Sequence, residues 1–599
     1  MQLSGTAKKC RLLAGAAAAL LLLAPASGQE AWRFATDSRV VAFADVHGAY
    51  DPLVELLRAT GVVDADVRWA AGTAHVVSLG DLLDRGAETR AVMELVMRLE
   101  REASAAGGAL HVVLGNHELM TLLGDWRYAA PADYESFAAD ESEAMRADAY
   151  AAFAADAGGD STTTAAQFAR TYPRGYFARQ AAFAPTGRYG ELLRSLPALV
   201  VVNDTVYVHG GLPPVVAQEG LAINDRVHAT LARYLALRDR LVARGVLPSF
   251  DRQRDVATAE AAPAEAERDE FLALAAAPEL GLDGPLWYRG SVYCKPMLEQ
   301  PTLDATLERL GVARAVVGHT PTEDRRARSL YGGKLLTLDT GMLVDYYRGR
   351  PAALVIEDKK LTVRYAAPPA SASLEDGRTV AYARTDAALR AALERGAVVS
   401  VQRAAAPEPW QVVVQDGDTA IGAAFYPERN DGASNSELAA AALDDLLGTD
   451  LVAPTVMRTI DGQEGALQLR YPDAVSEQER VSRRLPFSGW CPLEPQLELV
   501  RAFDVLTLNR GRTAATVFFQ NDLTDLTLVG HAQAFASDTA LPASVGDLPL
   551  PAALREALRA LDARRLDAAL GAWLDTRQIE ALLARRDQLI GGPRRRGAN

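Results

Sequence analysis

The sequence predicts an α/β fold for its first half, followed by a second domain of α+β type. Three observations carry this reading. Short apolar runs of strand length recur between residues 40 and 356; helical periodicity separates the early ones; and glycine-bounded polar clusters follow several of the runs. At 599 residues the chain is too long for one hydrophobic core.

The strand-like runs are 40–44, 75–79, 110–114, 200–202, 205–208, 315–317, 334–338 and 353–356. Each is a short apolar stretch, as expected of strands buried on both faces. Residues 53–59 and 89–102 place leucine, valine and methionine at helical spacing. Two inserts interrupt the pattern, near 119–197 and 215–282. Their alanine content suggests helices and cap-like surfaces. The first domain is expected over 36–366, and the run Ala366-Ala367-Pro368-Pro369-Ala370-Ser371-Ala372-Ser373 opens a linker expected over 367–380. In the second domain, 381–599, strands are expected near 410–414 and 419–425, then mainly helices. The leucine stripe over 551–590 is expected to be core, and Arg594-Arg595-Arg596 a solvated tail.

The chain is 49% hydrophobic and 23% charged, an ordinary composition for a soluble globular protein. A formal charge of −14 argues against a nucleic-acid surface. Lys8, Lys9 and Arg11 precede an apolar stretch over 12–24 and then small residues, the pattern of a secretory signal peptide over 1–28. The apolar run is shorter than the ~20 residues of a spanning helix. Export to a periplasmic or extracellular location is the expectation, with no later membrane span. Removing residues 1–28 also removes Cys10, leaving Cys294 and Cys491. These could pair in an oxidising compartment, but nothing in the sequence shows it, and two unpaired buried thiols are expected.

Five polar clusters follow predicted strands: Asp45-Val46-His47-Gly48, Gly80-Asp81-Leu82-Leu83-Asp84-Arg85-Gly86, Gly115-Asn116-His117-Glu118, His209-Gly210-Gly211 and Gly318-His319-Thr320. Ligands of open α/β sheets sit beyond strand carboxyl ends, so these clusters can converge. Of eight histidines in the chain, His47, His117, His209 and His319 fall in them, which is hard to reconcile with chance. Carboxylates, an amide and imidazoles are the donor set for two divalent cations that activate water and clamp a phosphoryl group.

These segments resemble the calcineurin-like metallophosphoesterases, in the phosphoprotein phosphatase branch. The resemblance implies a β-sandwich flanked by helices and hydrolysis of phosphate monoesters. It implies that Asp45, His47 and Asp81 hold one metal and Asp81, Asn116, His209 and His319 a second, with Asp81 bridging. His117 would be the general acid, oriented by Asp84, and Arg85 would bind phosphoryl oxygens. Gly284-Pro285-Leu286-Trp287-Tyr288-Arg289-Gly290 and Gly124-Asp125-Trp126-Arg127-Tyr128 are similar to segments of the Shewanella-like phosphatase subgroup, and Arg289 is the candidate second phosphate-binding arginine. One departure is Ala44, where the family usually has glycine. The metals expected are Mn²⁺, with Fe or Zn²⁺ as alternatives. Phosphoproteins are the expected substrates; small phosphate esters or dinucleoside polyphosphates at the same site, and a scaffold role for the second domain, are the alternatives.

Residues 412–586 resemble lipid-kinase-like and secreted atypical kinase folds at 435–440, 452–456, 503–510 and 528–531. A working kinase needs a lysine, a catalytic aspartate and Mg²⁺ ligands. The corresponding positions are Tyr426, Gly511, Thr516 and Gly530, while Glu437 remains without its lysine partner. The resemblance implies a degenerate domain that binds rather than transfers phosphate; an unrelated α+β domain sharing the helical patterns is the alternative.

Overall fold

The structure, a computed structural model, describes residues 31–591 apart from 157–161, 249–254, 367–370, 430–431, 488, 521–522, 524 and 542–547. The expected signal segment with Cys10, part of the expected linker and Arg594–Arg596 lie outside the described residues.

The first domain stacks two mixed sheets. One contains β2 (Val40–Phe43), β3 (His75–Ser78), β4 (Ala109–Val112), β10 (Ala352–Glu357), β11 (Lys360–Tyr365) and β12 (Ser371–Ala372), in the order β12-β11-β10-β2-β3-β4. The other contains β1 (Arg33–Phe34), β5 (Leu199–Val202), β6 (Thr205–Val208), β7 (Arg314–Val317), β8 (Arg328–Leu330), β9 (Leu335–Thr337) and β13 (Glu375–Asp376), in the order β1-β5-β6-β7-β9-β8-β13. β2, β3 and β4 run parallel, and so do β6, β7 and β9.

Side-chain alternation explains why these strands are apolar throughout. Val40, Ala42 and Ala44 point between the sheets, where they share a core with Val200, Val202, Tyr207, Val316 and Leu336. Val41 and Phe43 point outward and share a core with the helices. Each central strand is thus buried on both faces. Helices α1 (Tyr50–Ala59) and α2 (Thr89–Ala105) cover the first sheet through Leu53, Leu56 and Leu57 and through Val92, Val96 and Leu99, spaced one turn apart. The methyl of Ala44, the departure noted above, fills part of the intersheet core. Within the expected linker, β12 pairs with β11 and β13 with β8, so residues 371–376 extend the first domain's sheets.

The second region is richer in strands than expected. A five-stranded antiparallel sheet has β16 (Ala397–Gln402), β17 (Trp410–Asp416), β18 (Thr419–Pro427), β19 (Thr455–Ile460) and β20 (Gln463–Leu469) in the order β16-β17-β18-β20-β19, and the helix Ala433–Leu447 joins β18 to β19. A smaller sheet pairs 475–476, 517–520 and 525–528. The helices Leu493–Thr507, Ala552–Ala560, Ala563–Leu570 and Thr576–Ile590 supply a separate core. The hairpin Thr455–Leu469 escaped the sequence reading because Arg458, Thr459, Gln463 and Glu464 dilute its apolar pattern. Cys294 and Cys491, expected to be free thiols, form a disulfide with Cα atoms 5.3 Å apart. Their partnership depends on how two domains meet, which spacing along the chain does not encode. Among the described residues, no helix is long and apolar enough to cross a membrane.

Candidate metal centre

Asp45 follows β2, Asp81 follows β3, Asn116 opens helix α3 (Asn116–Leu123) after β4, His209 follows β6 and His319 follows β7. All these strand ends open on one edge of the sandwich, and the five side chains are buried together there with His47, Asp84 and His117. His47, Asp81, Asp84, Arg85 and His319 all have φ between 49° and 67°. Such left-handed conformations cost energy in non-glycine residues and persist where the surrounding structure enforces them. Two glycines are needed by contact: a Cβ on Gly115 would lie 2.4 Å from Asp81 Oδ1, and one on Gly318 2.5 Å from Asp45 Oδ1.

Asp81 is the hub. Its Oδ2 lies 3.6 Å from His47 Nε2 and 3.9 Å from His117 Nε2, while its Oδ1 lies 3.3 Å from His209 Nε2. Two groups of possible ligands therefore share it: His47, Asp81 and His117, and Asp81, His209 and His319. Asp45 Oδ2 is 3.9 Å from His47 Nε2, and Asn116 Oδ1 is 2.8 Å from His209 Nε2. The backbone holds the imidazoles in one tautomer. His47 Nδ1 faces the Leu83 carbonyl at 2.9 Å and His209 Nδ1 faces the Leu79 carbonyl at 2.7 Å. A carbonyl only accepts, so Nδ1 must donate, leaving each neutral ring with a bare Nε2 lone pair turned inward.

The electrostatics call for a cation. Burial pushes the Asp45 carboxyl up, with Asp81 adding repulsion against His209. Asp339, two residues beyond β9, is raised well above its ordinary value by burial and then by the charge of Asp45, and its Oδ2 has no hydrogen-bond partner. Burial also opposes ionisation of Asp81, but the neighbouring His209, His117 and His47 charges hold it well below the carboxylate range. Burial drops His47 to about 3 and pushes His319 well below its ordinary value, and His319 Nε2 is unpartnered. His209 goes the other way: burial opposes its charge, yet Asp81 and Asp45 raise it to about 9. Buried like charges of this kind are costly unless paired or bound to metal. Arg85 Nη1 sits 2.8 Å from His47 Nε2, a cationic group already placed against that bare nitrogen. Oxygen and imidazole donors around one shared carboxylate fit two divalent ions.

Beside the hub, His117 Nδ1 bonds Asp84 Oδ2 at 2.8 Å, and its pKa is raised because Asp81 and Asp84 outweigh burial. The first insert acquires a role here. Its helix Tyr176–Phe183 carries buried Arg179, whose Nε bonds Asp133 at 2.7 Å and whose Nη2 reaches Asp84 Oδ1 at 3.5 Å. Arg85 has the rings of Tyr128, Tyr346 and Tyr347 each 5.4 Å away, and Tyr128 and Tyr346 are exposed. Arg289 Nη1 donates to the His319 carbonyl at 2.9 Å and to Thr320 Oγ1 at 3.0 Å, at the rim of the same cluster.

One neighbour, Asp339, lies outside the five clusters, and another, Glu118, stands in the third cluster without a role assigned from sequence. Asp339 follows the predicted strand 334–338 and precedes Thr340-Gly341, so strand-then-polar-then-glycine would have found it. Glu118 accepts from the backbone nitrogens of Asp81, Leu82 and Gly115 at 2.8–2.9 Å, clamping the Asp81 turn, and burial followed by Asp81 pushes it up to about 7.

Strand ends that converge on a shared carboxylate between stacked sheets define a metal-dependent hydrolase. Residues 38–323 match the family described as calcineurin-like phosphoesterase, and the chain carries a domain of that family. It is a phosphoric monoester hydrolase. The Shewanella-like protein phosphatase 2 of Arabidopsis thaliana is 33% identical over 214 residues, covering 33% of this chain and 52% of that protein. The Shewanella-like protein phosphatase 1 of Plasmodium berghei is 24% identical over 330 residues, covering 54% of this chain and 73% of that protein. Among solved structures, the cold-active protein-tyrosine phosphatase of a psychrophile Shewanella sp. is 25% identical, with a TM-score of 0.38, covering 56% of this chain and 80% of that one.

Proposed function

We propose that this chain is an exported, two-metal phosphoprotein phosphatase acting on phospho-Ser/Thr or phospho-Tyr. The observation that carries the proposal is Asp81, whose Oδ2 faces His47 at 3.6 Å while its Oδ1 faces His209 at 3.3 Å. Asp45, His47 and Asp81 hold one divalent ion and Asp81, Asn116, His209 and His319 the other, with Mn²⁺ the expected metal. When bound, the pair supplies an activated water and a clamp on the phosphoryl oxygens. The chain's own groups do the rest. His117, whose pKa is raised by Asp81 and by its bond to Asp84 against the effect of burial, gives its proton to the leaving oxygen. Asp84 fixes that ring, and Arg179 fixes Asp84. Arg85 and Arg289 bind phosphoryl oxygens. Exposed Tyr128 and Tyr346 flank Arg85 with aromatic surface on which a substrate can rest, and the similarity to Shewanella-like protein phosphatases supports phosphoproteins as the substrates. Export is supported by the buried Cys294–Cys491 bridge, a bond that persists in oxidising compartments.

The second domain acts as a degenerate kinase-like binding module. Its five-stranded sheet carries the Ala433–Leu447 helix behind it, and a cavity of about 810 Å³ lies between that sheet and the smaller one. Glu437 faces His531 Nδ1 at 3.1 Å instead of a lysine, and Tyr426 lines the cavity. No lysine is among the lining residues, so the cavity offers a binding surface without the groups that transfer phosphate.

The deciding experiment incubates Mn²⁺-loaded protein with para-nitrophenyl phosphate, phosphopeptides and diadenosine tetraphosphate. Hydrolysis of the first two, abolished by a chelator and restored by Mn²⁺, is expected. Cleavage of the dinucleotide alone would move the assignment to small esters, and no hydrolysis of any would leave a scaffold.

A further inference from the structure

The ten residues Arg289–Leu298 of the phosphoesterase domain do two jobs. Arg289 reaches the metal-site rim through the His319 carbonyl and Thr320. The residues that follow are gripped by the linker and the second domain. Arg378 in the linker donates through Nη1 to the Tyr293 carbonyl at 2.7 Å, and its Nη2 pairs with Asp525 of the second domain at 3.3 Å. Cys294 is bridged to Cys491. Buried Lys295 pairs with buried Asp525 at 3.0 Å. Met297 and Leu298 pack against the second domain's core. The residue before Cys491 is Trp490, and the Arg289 guanidinium carbon lies 5.2 Å from the centre of its ring.

We infer that Trp490 is a positioning residue of the phosphatase site, contributed by the second domain and pinned there by the disulfide. The inference rests on Arg289 binding the phosphoryl group. Arg289 is partly buried, and no carboxylate pairs with it in a hydrogen bond or ion pair among the described residues. Two fixed acceptors hold one nitrogen, and the indole covers the guanidinium. An aromatic ring over a partly desolvated cation restricts where the guanidinium points without competing for its donors. The remaining N–H groups are left to meet an anion. Because Cys491 is the adjacent residue, the bridge to Cys294 fixes the indole to the same segment that carries Arg289. The phosphoesterase domain alone has the arginine but not its cover.

The test uses the full chain, both domains present and loaded with Mn²⁺. Trp490→Ala should raise KM for para-nitrophenyl phosphate and Ki for inorganic phosphate by about three- to tenfold, with kcat changed less than about twofold, the range expected for a lost cation–π contact. Trp490→Phe should keep most of the affinity, because a phenyl face remains. The Cys294→Ser/Cys491→Ser double variant should reproduce the Trp490→Ala loss, since the indole is then untethered. Arg289→Ala should raise KM and Ki further, and adding Trp490→Ala to it should change nothing more. If Arg289→Ala leaves KM and Ki unaltered, the phosphate-binding reading of Arg289 fails. If Arg289→Ala weakens binding while Trp490→Ala and the cysteine variant do not, or if Trp490→Ala costs the same in the Arg289→Ala background, the positioning role is overturned. Should Trp490→Ala misfold, Trp490→Phe against Trp490→Leu decides: equal affinity in both would equally refute it.

Discussion

Asp84→Asn isolates the proton-donating half of the mechanism without touching a metal ligand. The Asp84 carboxylate accepts from His117 Nδ1 at 2.8 Å, and both side chains are buried. Asparagine is nearly isosteric and can still accept that bond, so what is lost is charge. A hydrogen bond to a charged partner contributes about 1.5–3 kcal/mol against about 0.5–1.5 for a neutral one. The difference, about 1–2 kcal/mol, corresponds to a roughly 5- to 30-fold fall in kcat/KM. The pH profile should change as well. His117 lies above its ordinary value only because Asp81 and Asp84 overcome burial. With Asp84 neutral, burial pulls it down. The acid must be protonated to act, so activity is present below the His117 pKa and falls as pH rises through it. In the variant the alkaline limb therefore moves to lower pH. The assay is kcat/KM against pH with an alkyl phosphate and with para-nitrophenyl phosphate, whose leaving group needs less help from an acid. The alkyl substrate should lose more. An alkaline limb that stays in place, with equal losses on both substrates at unchanged metal content, would refute His117 as the acid.

Further outcomes follow from the same geometry. Gly318→Ala places a methyl against Asp45 Oδ1 and should lower bound metal in elemental analysis, although no ligand is replaced; full metal content would show that Asp45 is free to move. Metal binding must displace the proton that Asp81 and Asp45 hold on His209 up to about pH 9. Mn²⁺ affinity should therefore climb by at least about tenfold per pH unit below that value. Calorimetry in buffers of different ionisation enthalpy should show proton release at pH 7, and a pH-independent affinity would contradict the assignment of His209.

The strand ends and their polar clusters were legible because two local signals coincided: a short apolar run, then glycine beside Asp, Asn or His. Every predicted site residue in the first domain lies at that one edge of the sandwich, Arg289 at its rim. Asp339 carries the same signal, an Asp near glycine after an apolar run, outside the five clusters. Arg179, Trp490 and the disulfide were not legible, since each depends on a distant segment returning to the site. Arg179 stands in an alanine-rich insert and Trp490 in the other domain, where nothing nearby in sequence sets them apart from ordinary core or surface residues. The Thr455–Leu469 hairpin was missed for a local reason, its polar outward residues hiding the alternation of a sheet with one wet face.

On the proposed mechanism one carboxylate, Asp81, joins two cations. Elemental analysis of the purified, Mn²⁺-equilibrated protein measures it directly, beside Asp81→Asn. Two ions per chain are expected in the native protein, and in the variant a loss of metal together with a fall in activity of orders of magnitude. A single ion per chain, or an Asp81→Asn protein that keeps both its metal and its turnover, would contradict it.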